Sequence, residues 1–312
     1  MSDVPLNVIP PRGGDRAEPG MDHPWFPFSG ITSRPRPRGN PSALSLSVVV
    51  DLTAVEWEAP GHEPIVRPPG GRGAAPFPDY PRMSHREYGH RTGIFRLLDH
   101  LDEVDVPIAV VIDVLTARHY PSLLEHLRPR TAEFLAGGMS ASRPITSAMG
   151  EDEERDYVGT TLDELQRALG ARPAGWAGPQ QSQSARTPGI LAELGVTYTT
   201  DWGNDEQPYA FRGEAEGLWS FPVSWELSDL SAMTRDVADV TYAESIIEAA
   251  TTMEADGTDQ PRVLGLLLHP WISGQPYLTP LVRDALRRVV ASDSVRAAAP
   301  AEVLAAFRQD AG

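Results

Sequence analysis

The chain has 312 residues, of which 27 are Lys or Arg and 43 are Asp or Glu, so its formal net charge is −16 at pH 7. A chain this acidic repels a phosphate backbone and an anionic lipid surface, so neither nucleic acid nor membrane is an expected partner. The sequence contains no Lys and no Cys. These absences exclude a Schiff-base lysine, a P-loop, a thiol nucleophile, disulfides and cysteine metal sites.

The start of the chain does not have the pattern of a secretory signal. It reads MSDVPLNVIPPRGGDRAEPG, without a basic segment or an apolar core, and no later apolar run reaches membrane-spanning length. We therefore expect a cytoplasmic protein that acts on a small-molecule substrate. Association with further copies of the chain is left open.

The first part of the chain differs in composition from the rest. Residues 1–40 are rich in Pro, Gly and Arg and include the aromatic segment HPWFPF at 23–28. They have little periodicity, so we predict an extended arm whose aromatic side chains pack onto the body. Residues 41–312 have no internal linker and are predicted to form one barrel domain.

Strands and helices alternate along this second part. Apolar runs predict strands at 44–51, 107–114, 132–136, 172–176, 196–200, 219–223 and 263–269, with a short one at Val295. Helical spacing predicts helices from 93 onwards and at 121–127, 151–169, 189–195, 243–254, 281–290 and 301–307. Such alternation indicates a parallel β/α barrel.

Two of these strands end in side chains that can move protons. The run 263–268 is apolar throughout and ends at His269, which Pro270 and Trp271 follow, and the strand 44–51 ends at Asp51. The carboxyl ends of parallel strands gather at one edge, where loops present reacting groups. We therefore expect Asp51 and His269 to approach each other there.

Four segments carry a resemblance. With Asp51, the sequences EYGHRTGIFR (87–96), GWAGPQQSQSARTP (175–188), TDWGNDEQPY (200–209) and LLLHPWISGQPY (266–277) resemble the polysaccharide deacetylase (NodB-homology) superfamily. The branch they resemble contains metal-independent allantoinases, cyclic imide hydrolases and an intracellular-type peptidoglycan deacetylase. The resemblance runs from about residue 24 to about residue 307. It implies a distorted (β/α) barrel with seven or eight strands that hydrolyses an amide, imide or ureide C–N bond.

The resemblance also implies roles for individual residues. Asp51 stands where the family has its catalytic base, and His269 where it has the acid that protonates the leaving nitrogen. Asp201 and Trp202 occupy the motif that usually supports this histidine and walls the substrate pocket. The residues expected to bind substrate are Arg91, which matches the family's arginine, Gln180, where relatives often have an arginine, Tyr88, Trp202, Trp225 and Trp271.

Plainer interpretations of the same residues stay open. Asp51 and Asp201 can cap turns, as can Asp205. The tryptophans can be core side chains, and Arg91 can neutralise Glu87.

The chain departs from the family where the metal ligands should lie. Leu52 and Thr53 occupy the positions where the family has a metal-binding carboxylate. Gly137 and Ala141 occupy the positions of its paired metal-binding histidines. A divalent metal needs about three converging N or O ligands at about 2.0–2.2 Å. We therefore expect neither a metal nor another cofactor. A metal held by residues far apart in the sequence, such as Asp51, Glu56 and His269, stays open as an alternative.

The leading functional hypothesis is a metal-independent hydrolase of a cyclic amide, imide, ureide or acetamide, with Asp51 as base and His269 as acid. One alternative is a catalytically silent barrel that binds a ligand or partner. Another is an isomerase or ring-rearranging enzyme in a biosynthetic pathway. Retention of both Asp51 and His269 favours chemistry over binding alone.

Overall fold

The centre of the molecule is a curved sheet of nine strands within the part of the chain that the structure describes. The computed structural model describes residues 25–26, 29–34, 36–37, 39, 42–57 and 80–308. The strands are β1 (Leu44–Asp51), β2 (Ile108–Ile112), β3 (Glu133–Ala136), β4 (Gly175–Trp176), β5 (Tyr198–Thr199), β6 (Tyr209–Ala210), β7 (Trp219–Ser220), β8 (Arg262–Leu268) and β9 (Val295–Ala297).

Helices cover the outside of this sheet. They are α1 (Tyr80–Tyr88), α2 (Ile94–Asp102), α3 (Val114–His119), α4 (Pro121–Leu127), α5 (Glu151–Leu169), α6 (Thr187–Glu193), α7 (Asp229–Thr234), α8 (Asp239–Asp256), α9 (Pro270–Ser273), α10 (Thr279–Val289) and α11 (Pro300–Arg308). A π-helical segment, Gly89–Gly93, joins α1 to α2. Within the described ranges, no helix combines the length and apolar character needed to cross a bilayer.

The strand order is β6-β7-β5-β4-β3-β2-β1-β8, and β9 also pairs with β1. Only the β6–β7 pairing is antiparallel among these ladders. Without the antiparallel β6, and without β9, which pairs with β1 outside the main strand order, the sheet has seven parallel strands. This number agrees with the predicted distorted (β/α) barrel. The prediction of the fold class is confirmed.

Backbone hydrogen bonds join the two ends of the sheet. Ser224, just after β7, donates to the carbonyl of Gly265 in β8 at 2.9 Å, and Val263 donates to the carbonyl of Glu206 at 2.8 Å. The sheet therefore curls into a ring. Its two faces bury separate clusters, with Val48 and Val50 of β1 packed in the larger one and Val49 in the smaller.

The element bounds show where the sequence pattern was informative. The strand at 44–51 and the helix at 151–169 have the predicted bounds. The predicted strands at 172–176, 196–200 and 219–223 are reduced to two residues each. Three short helices, α3, α7 and α9, were not predicted, since each is too short to show an amphipathic period.

Part of the predicted arm packs on the body as expected. The ring of Trp25 lies 5.3 Å from that of Trp202, and Phe26 lies 4.8 Å from Tyr209. Arg34 forms a bidentate pair with Asp205, at 2.8 and 2.6 Å. Residues 1–24 and the rest of the aromatic segment, at 27–28, lie outside the described residues, so the division at residue 40 stays a prediction.

The π-helical segment meets α9 backbone to backbone. A Cβ atom on Gly93 would lie 2.0 Å from the carbonyl oxygen of Pro270, and one on Gly274 would lie 2.5 Å from the Cα of Gly93. No side chain larger than hydrogen fits at either position without a shift of the backbone. This close contact fixes the start of α9, and with it His269, against the helix pair α1–α2.

Ring closure can be tested with Gly265→Ala. The added Cβ would lie 2.2 Å from the carbonyl oxygen of Pro222 and 2.9 Å from the Cα of Val223, so β8 and the segment after β7 must separate. We expect a loss of about 2 kcal/mol or more in the free energy of unfolding, measured by urea denaturation. The matched control is Gly159→Ala within α5, where the nearest atom is 4.0 Å away and a gain of up to about 1 kcal/mol is expected. Equal stabilities of the two variants would contradict the closure.

Candidate active site

Asp51 and His269 lie next to each other because their strands do. β1 and β8 pair in parallel with Val50 opposite Leu268, so the residue that follows each stands at the same edge of the barrel. Nε2 of His269 lies 3.6 Å from Oδ2 of Asp51. The structure thus brings together two side chains that are far apart in the sequence.

A buried carboxylate behind the histidine fixes its orientation. Oδ1 of Asp229, the first residue of α7, lies 2.6 Å from Nδ1 of His269. Its Oδ2 accepts hydrogen bonds from the backbone N–H of His269 at 2.7 Å and from the Ser273 hydroxyl at 2.6 Å. Since Asp229 is an acceptor, Nδ1 carries a proton, and Nε2 is the nitrogen that faces Asp51.

The surroundings of His269 favour its charged form. Burial alone lowers its pKa, but the charge and hydrogen bond of Asp229, with the charge of Asp51, together raise the pKa above the ordinary value of 6.5. The positive charge of Arg86 acts in the opposite direction. The net rise means that the imidazole keeps its second proton at a higher pH than a solvent-exposed histidine does.

Asp51 is held by one of its two oxygens. The backbone N–H and the hydroxyl of Thr53 both donate to Oδ1, at 2.8 and 2.7 Å. The carboxylate is half-buried. Oδ2 is the oxygen on the His269 side, so the turn after β1 orients the carboxylate toward the imidazole.

Both side chains open on one cavity of about 280 Å³. Its polar lining includes Arg86, Gln180, Gln181, Asp201, Ser228 and Ser231, and its apolar lining includes Val111, Ala141, Val223, Trp225, Leu230 and Leu267. The volume is at the small end of the range for ligand pockets and suits a small molecule. The mixed lining suits a compound with several polar groups.

Three of the other predicted site residues line this cavity. They are Asp201, Gln180 and Trp225. Gln180 has a positive φ of 57° and its Nε2 donates to the carbonyl of Ala141 at 2.9 Å. The Trp225 side chain is 45% exposed, so it stands at the mouth of the cavity.

The expected contact between Asp201 and His269 is not present. Oδ1 of Asp201 instead accepts from the backbone N–H of Gly178 at 2.8 Å, and burial raises the pKa of Asp201 to about 7. The supporting carboxylate is Asp229, which the sequence analysis missed. An available signal was its place in the loop after a predicted strand, at the edge where Asp51 and His269 also lie.

The remaining predicted residues lie outside the cavity. Trp202 packs against Trp25 and Phe211 and is not among the residues that line the cavity, so its role as a pocket wall stays a prediction. Tyr88 accepts from Arg96 at 2.6 Å and contacts the carbonyl of Gly274 at 3.4 Å, so it joins helices.

The arginine in the cavity is Arg86, not Arg91. Arg91 is exposed and absent from the cavity lining. Trp271 is buried beneath Arg86, whose guanidinium lies 5.1 Å from the centroid of the indole, and does not itself line the cavity.

The residues at the family's metal positions do not fit a metal. Leu52 is buried among apolar side chains, and Thr53 is hydrogen-bonded to Asp51. A Cβ at Gly137 would lie 2.7 Å from Cγ2 of Thr53 and 2.9 Å from Cγ1 of Val111, so a histidine there would collide with both. Across the ranges the structure describes, no group of three or more His, Cys, Asp or Glu side chains could hold a metal ion.

Comparison with known proteins gives a match of fold. No family model matches the sequence, and no curated protein sequence matches it. The structure is similar to that of PuuE allantoinase, with a TM-score of 0.75, 19% identity, and coverage of 91% of this chain and 98% of that one. It is also similar to a probable polysaccharide deacetylase from Pseudomonas aeruginosa PAO1, with a TM-score of 0.76, 19% identity, and coverage of 91% and 99%.

A protein of Mycobacterium smegmatis assigned to the polysaccharide deacetylases has a TM-score of 0.72 and 23% identity, with coverage of 89% of this chain and 95% of that one. At these identities the similarity establishes a shared fold. The barrel suggested by the sequence resemblance is therefore confirmed, over almost the whole length of each of these proteins.

Metal content provides a direct test of the site. Because Gly137 and Thr53 leave no room for the family's ligands, we expect purified protein to contain no stoichiometric transition metal. A chelator should leave its melting temperature unchanged. Elemental analysis that finds about one zinc per chain, removable with a fall in melting temperature, would show the opposite.

The role of Asp229 can be measured through the imidazole it binds. Asp229→Asn removes the carboxylate charge that does most to raise the pKa of His269, and leaves Asp51 alone to raise it against burial and Arg86, so NMR titration should show a lower pKa. A histidine whose pKa is higher in the folded protein than in the unfolded chain stabilises the fold fully below the unfolded pKa of 6.5. This stabilisation is lost as the pH rises through the folded-state pKa. The stability gap between wild type and variant should therefore narrow above pH 6.5.

Glu248→Gln, on the exposed face of α8, is the control for loss of a carboxylate. It should leave the His269 titration unchanged. An unchanged pKa in Asp229→Asn would show that the buried carboxylate does not control the imidazole.

Proposed function

We propose that the protein hydrolyses a C–N bond in a small amide, imide or ureide, without a metal. Asp51 is the general base and His269 the general acid. The observation that carries the proposal is the approach of these two side chains to 3.6 Å at one cavity, with Asp229 bound behind the histidine. Hydrolysis needs a base that takes a proton from water and an acid that gives a proton to the leaving nitrogen, and this pair can supply both.

Asp51 activates the water. Its Oδ1 is engaged by Thr53, so Oδ2 is the oxygen available to take a proton from a water molecule in the cavity. The water oxygen then attacks the carbonyl carbon and forms a tetrahedral intermediate. Cavity-lining donors such as Gln181, Ser228 and Ser231 are candidates to stabilise the oxygen on which negative charge develops.

His269 supplies the proton that the departing nitrogen needs. Asp229 and Asp51 raise the pKa of the imidazole and so favour its charged form, and Asp229 holds Nδ1 so that Nε2–H points to the cavity side. As the C–N bond breaks, the Nε2 proton passes to nitrogen. An amine or amide nitrogen leaves poorly as an anion, so this transfer lowers the barrier.

The pair can reset itself without another residue. After bond cleavage Asp51 holds the proton from water and His269 is neutral. Oδ2 and Nε2 are 3.6 Å apart, too far for a direct hydrogen bond, so one water molecule between them relays that proton to Nε2 and restores the starting charges. The net reaction consumes one water and yields a carboxylic acid and the freed nitrogen group.

The size and lining of the cavity support a small polar substrate. Amide groups can accept from Ser228 or Ser231 and donate to Gln180, while Val223 and Leu267 provide apolar contact. One structural neighbour is an allantoinase, which agrees with this class of compound. The identity to that protein is 19%, so the neighbour supports the fold and the acid–base pair supports the chemistry.

The alternatives make different demands on the same residues. A silent binding protein has no need of an orienting carboxylate behind His269. An isomerase would use Asp51 and His269 to move a proton between two substrate atoms and would not consume water. Product analysis in ¹⁸O-labelled water separates hydrolysis from rearrangement.

The proposal can be tested by mutating the pair. With a panel of hydantoin, succinimide, allantoin and simple acetamides, Asp51→Asn should lower turnover by roughly 10² or more, as expected for a lost general base. His269→Ala should do the same, most strongly for poor leaving groups. Because both act in one reaction, the double variant should cost less than the product of the single losses.

His119→Ala and Asp163→Asn, both at exposed positions, are the matched controls and should retain turnover. Near-wild-type rates in folded Asp51→Asn and His269→Ala variants would rule the mechanism out. A complete lack of turnover by the wild type on such a panel would favour the binding protein.

A further inference from the structure

Asp113 is a fully buried carboxylate that the reaction itself does not use. β1 and β2 pair in parallel with Asp51 opposite Val111, so Asp113, just after β2, stands beside the turn that follows β1. Its side chain is 0% exposed and does not line the cavity. A carboxylate without access to water is costly unless other groups bind it. The groups that bind Asp113 therefore indicate what it does.

The two oxygens of Asp113 bind N–H groups from two different parts of the chain. Oδ1 accepts from the backbone N–H of Thr116 at 2.6 Å and so caps the N-terminus of α3. Oδ2 accepts from the backbone N–H of Ala54, in the turn after β1, at 2.7 Å. Burial raises the pKa of Asp113 to about 7, and both hydrogen bonds lower it. They therefore favour the charged form, in which each oxygen is an acceptor.

The turn of residues 52–54 also holds Asp51. The backbone N–H and the hydroxyl of Thr53 donate to Oδ1 of Asp51. On one side of Thr53, the carbonyl of Leu52 accepts from the Thr116 hydroxyl at 3.0 Å. On the other side, Asp113 accepts the N–H of the next residue. Thr53 is thereby held from both sides by the start of α3.

We propose that Asp113 is a positioning residue for the base. It holds the turn of residues 52–54 to α3, so that Thr53 binds Oδ1 of Asp51 and Oδ2 stays on the His269 side. If the turn moves, the carboxylate turns with it, and a shift of about 1 Å in a reacting group can lower a rate by about 10²-fold. This inference rests on the proposed function, in which Asp51 takes the proton from water.

The two hydrogen bonds of Asp113 can be separated by Asp113→Ser. Serine caps a helix about as well as aspartate does, so the N–H of Thr116 keeps an acceptor. A single hydroxyl oxygen cannot also reach the N–H of Ala54. We expect turnover of any substrate that the wild type hydrolyses to fall by about tenfold or more. The loss should lie in kcat and not in KM, because the residues that line the cavity are unchanged.

NMR gives a second readout that needs no substrate. The amide proton of Thr53 is bonded to a carboxylate oxygen and should resonate downfield in the wild type. In Asp113→Ser its resonance should move toward the position found in Asp51→Ala, where this bond is absent. The amide of Ala54 should exchange with solvent about tenfold faster or more, while that of Thr116 keeps its wild-type rate.

If Asp113→Ser does not fold, Asp113→Asn replaces it. Its side chain has nearly the same size, and its amide oxygen can cap α3. Its NH₂ group would then face the N–H of Ala54, donor against donor, so the same changes in turnover, Thr53 resonance and Ala54 exchange are expected.

The matched control is Val282→Ala in α10. Val282 is 0% exposed and does not line the cavity, so its truncation lowers stability without touching the turn. It should leave kcat and the Thr53 resonance unchanged. Any faster amide exchange should affect Ala54 and Thr116 alike, as expected for a general loss of stability.

Two results would overturn the proposal. One is a folded Asp113→Ser variant that keeps either the wild-type turnover or the wild-type Thr53 resonance, which would leave Asp113 as a helix cap alone. The other is the same set of changes in Val282→Ala. Failure of the proposed function is read separately, from wild-type turnover in Asp51→Asn. If no substrate is hydrolysed, the Thr53 resonance still decides whether Asp113 positions Asp51.

Discussion

The buried hydrogen bond between Asp229 and His269 is the contact on which the site depends. A carboxylate without access to water is costly unless it is paired, and Asp229 is satisfied by the ring and backbone of His269 and by Ser273. The same contact joins α7 to the end of β8. The chain after β7 must therefore return over the open end of the barrel. The end of that loop, at Ser228, and the first turn of α7, at Leu230, form part of the cavity wall.

The sequence predicted those features that follow from uninterrupted apolar runs. β1 and β8 are such runs, each ends in a polar side chain, and parallel pairing then places Asp51 beside His269. The sequence also showed that Gly137 and Ala141 replace the family's metal-binding histidines, because the identity of a residue can be read without knowing where it lies in the fold. The structure adds the reason that Gly137 cannot be replaced easily, which is the contact with Thr53 and Val111.

The features that escaped prediction depend on tertiary contacts. Asp229 begins a helix of six residues, too short for a periodic signal, and its partner lies 40 residues further along the chain. The choice between Arg86 and Arg91 depends on the phase of a helix whose start at Tyr80 no pattern marked. The family motif pointed to Arg91, but motif matching identifies a segment without fixing which side chain enters the cavity. Packing of α1 against Trp271 decides that.

The backbone contact between Gly93 and the Pro270–Gly274 turn suggests how this barrel could diversify. Because hydrogen atoms alone separate the two segments, the position of the His269 backbone against α1 and α2 does not depend on which side chains pack at this contact. The opposite wall is built by loops after β4, β5 and β7, where Gln180, Gln181 and Trp225 reach the cavity. The loops that line this wall can therefore differ in sequence, and so in the shape of the cavity, without any change in the backbone contact that holds His269.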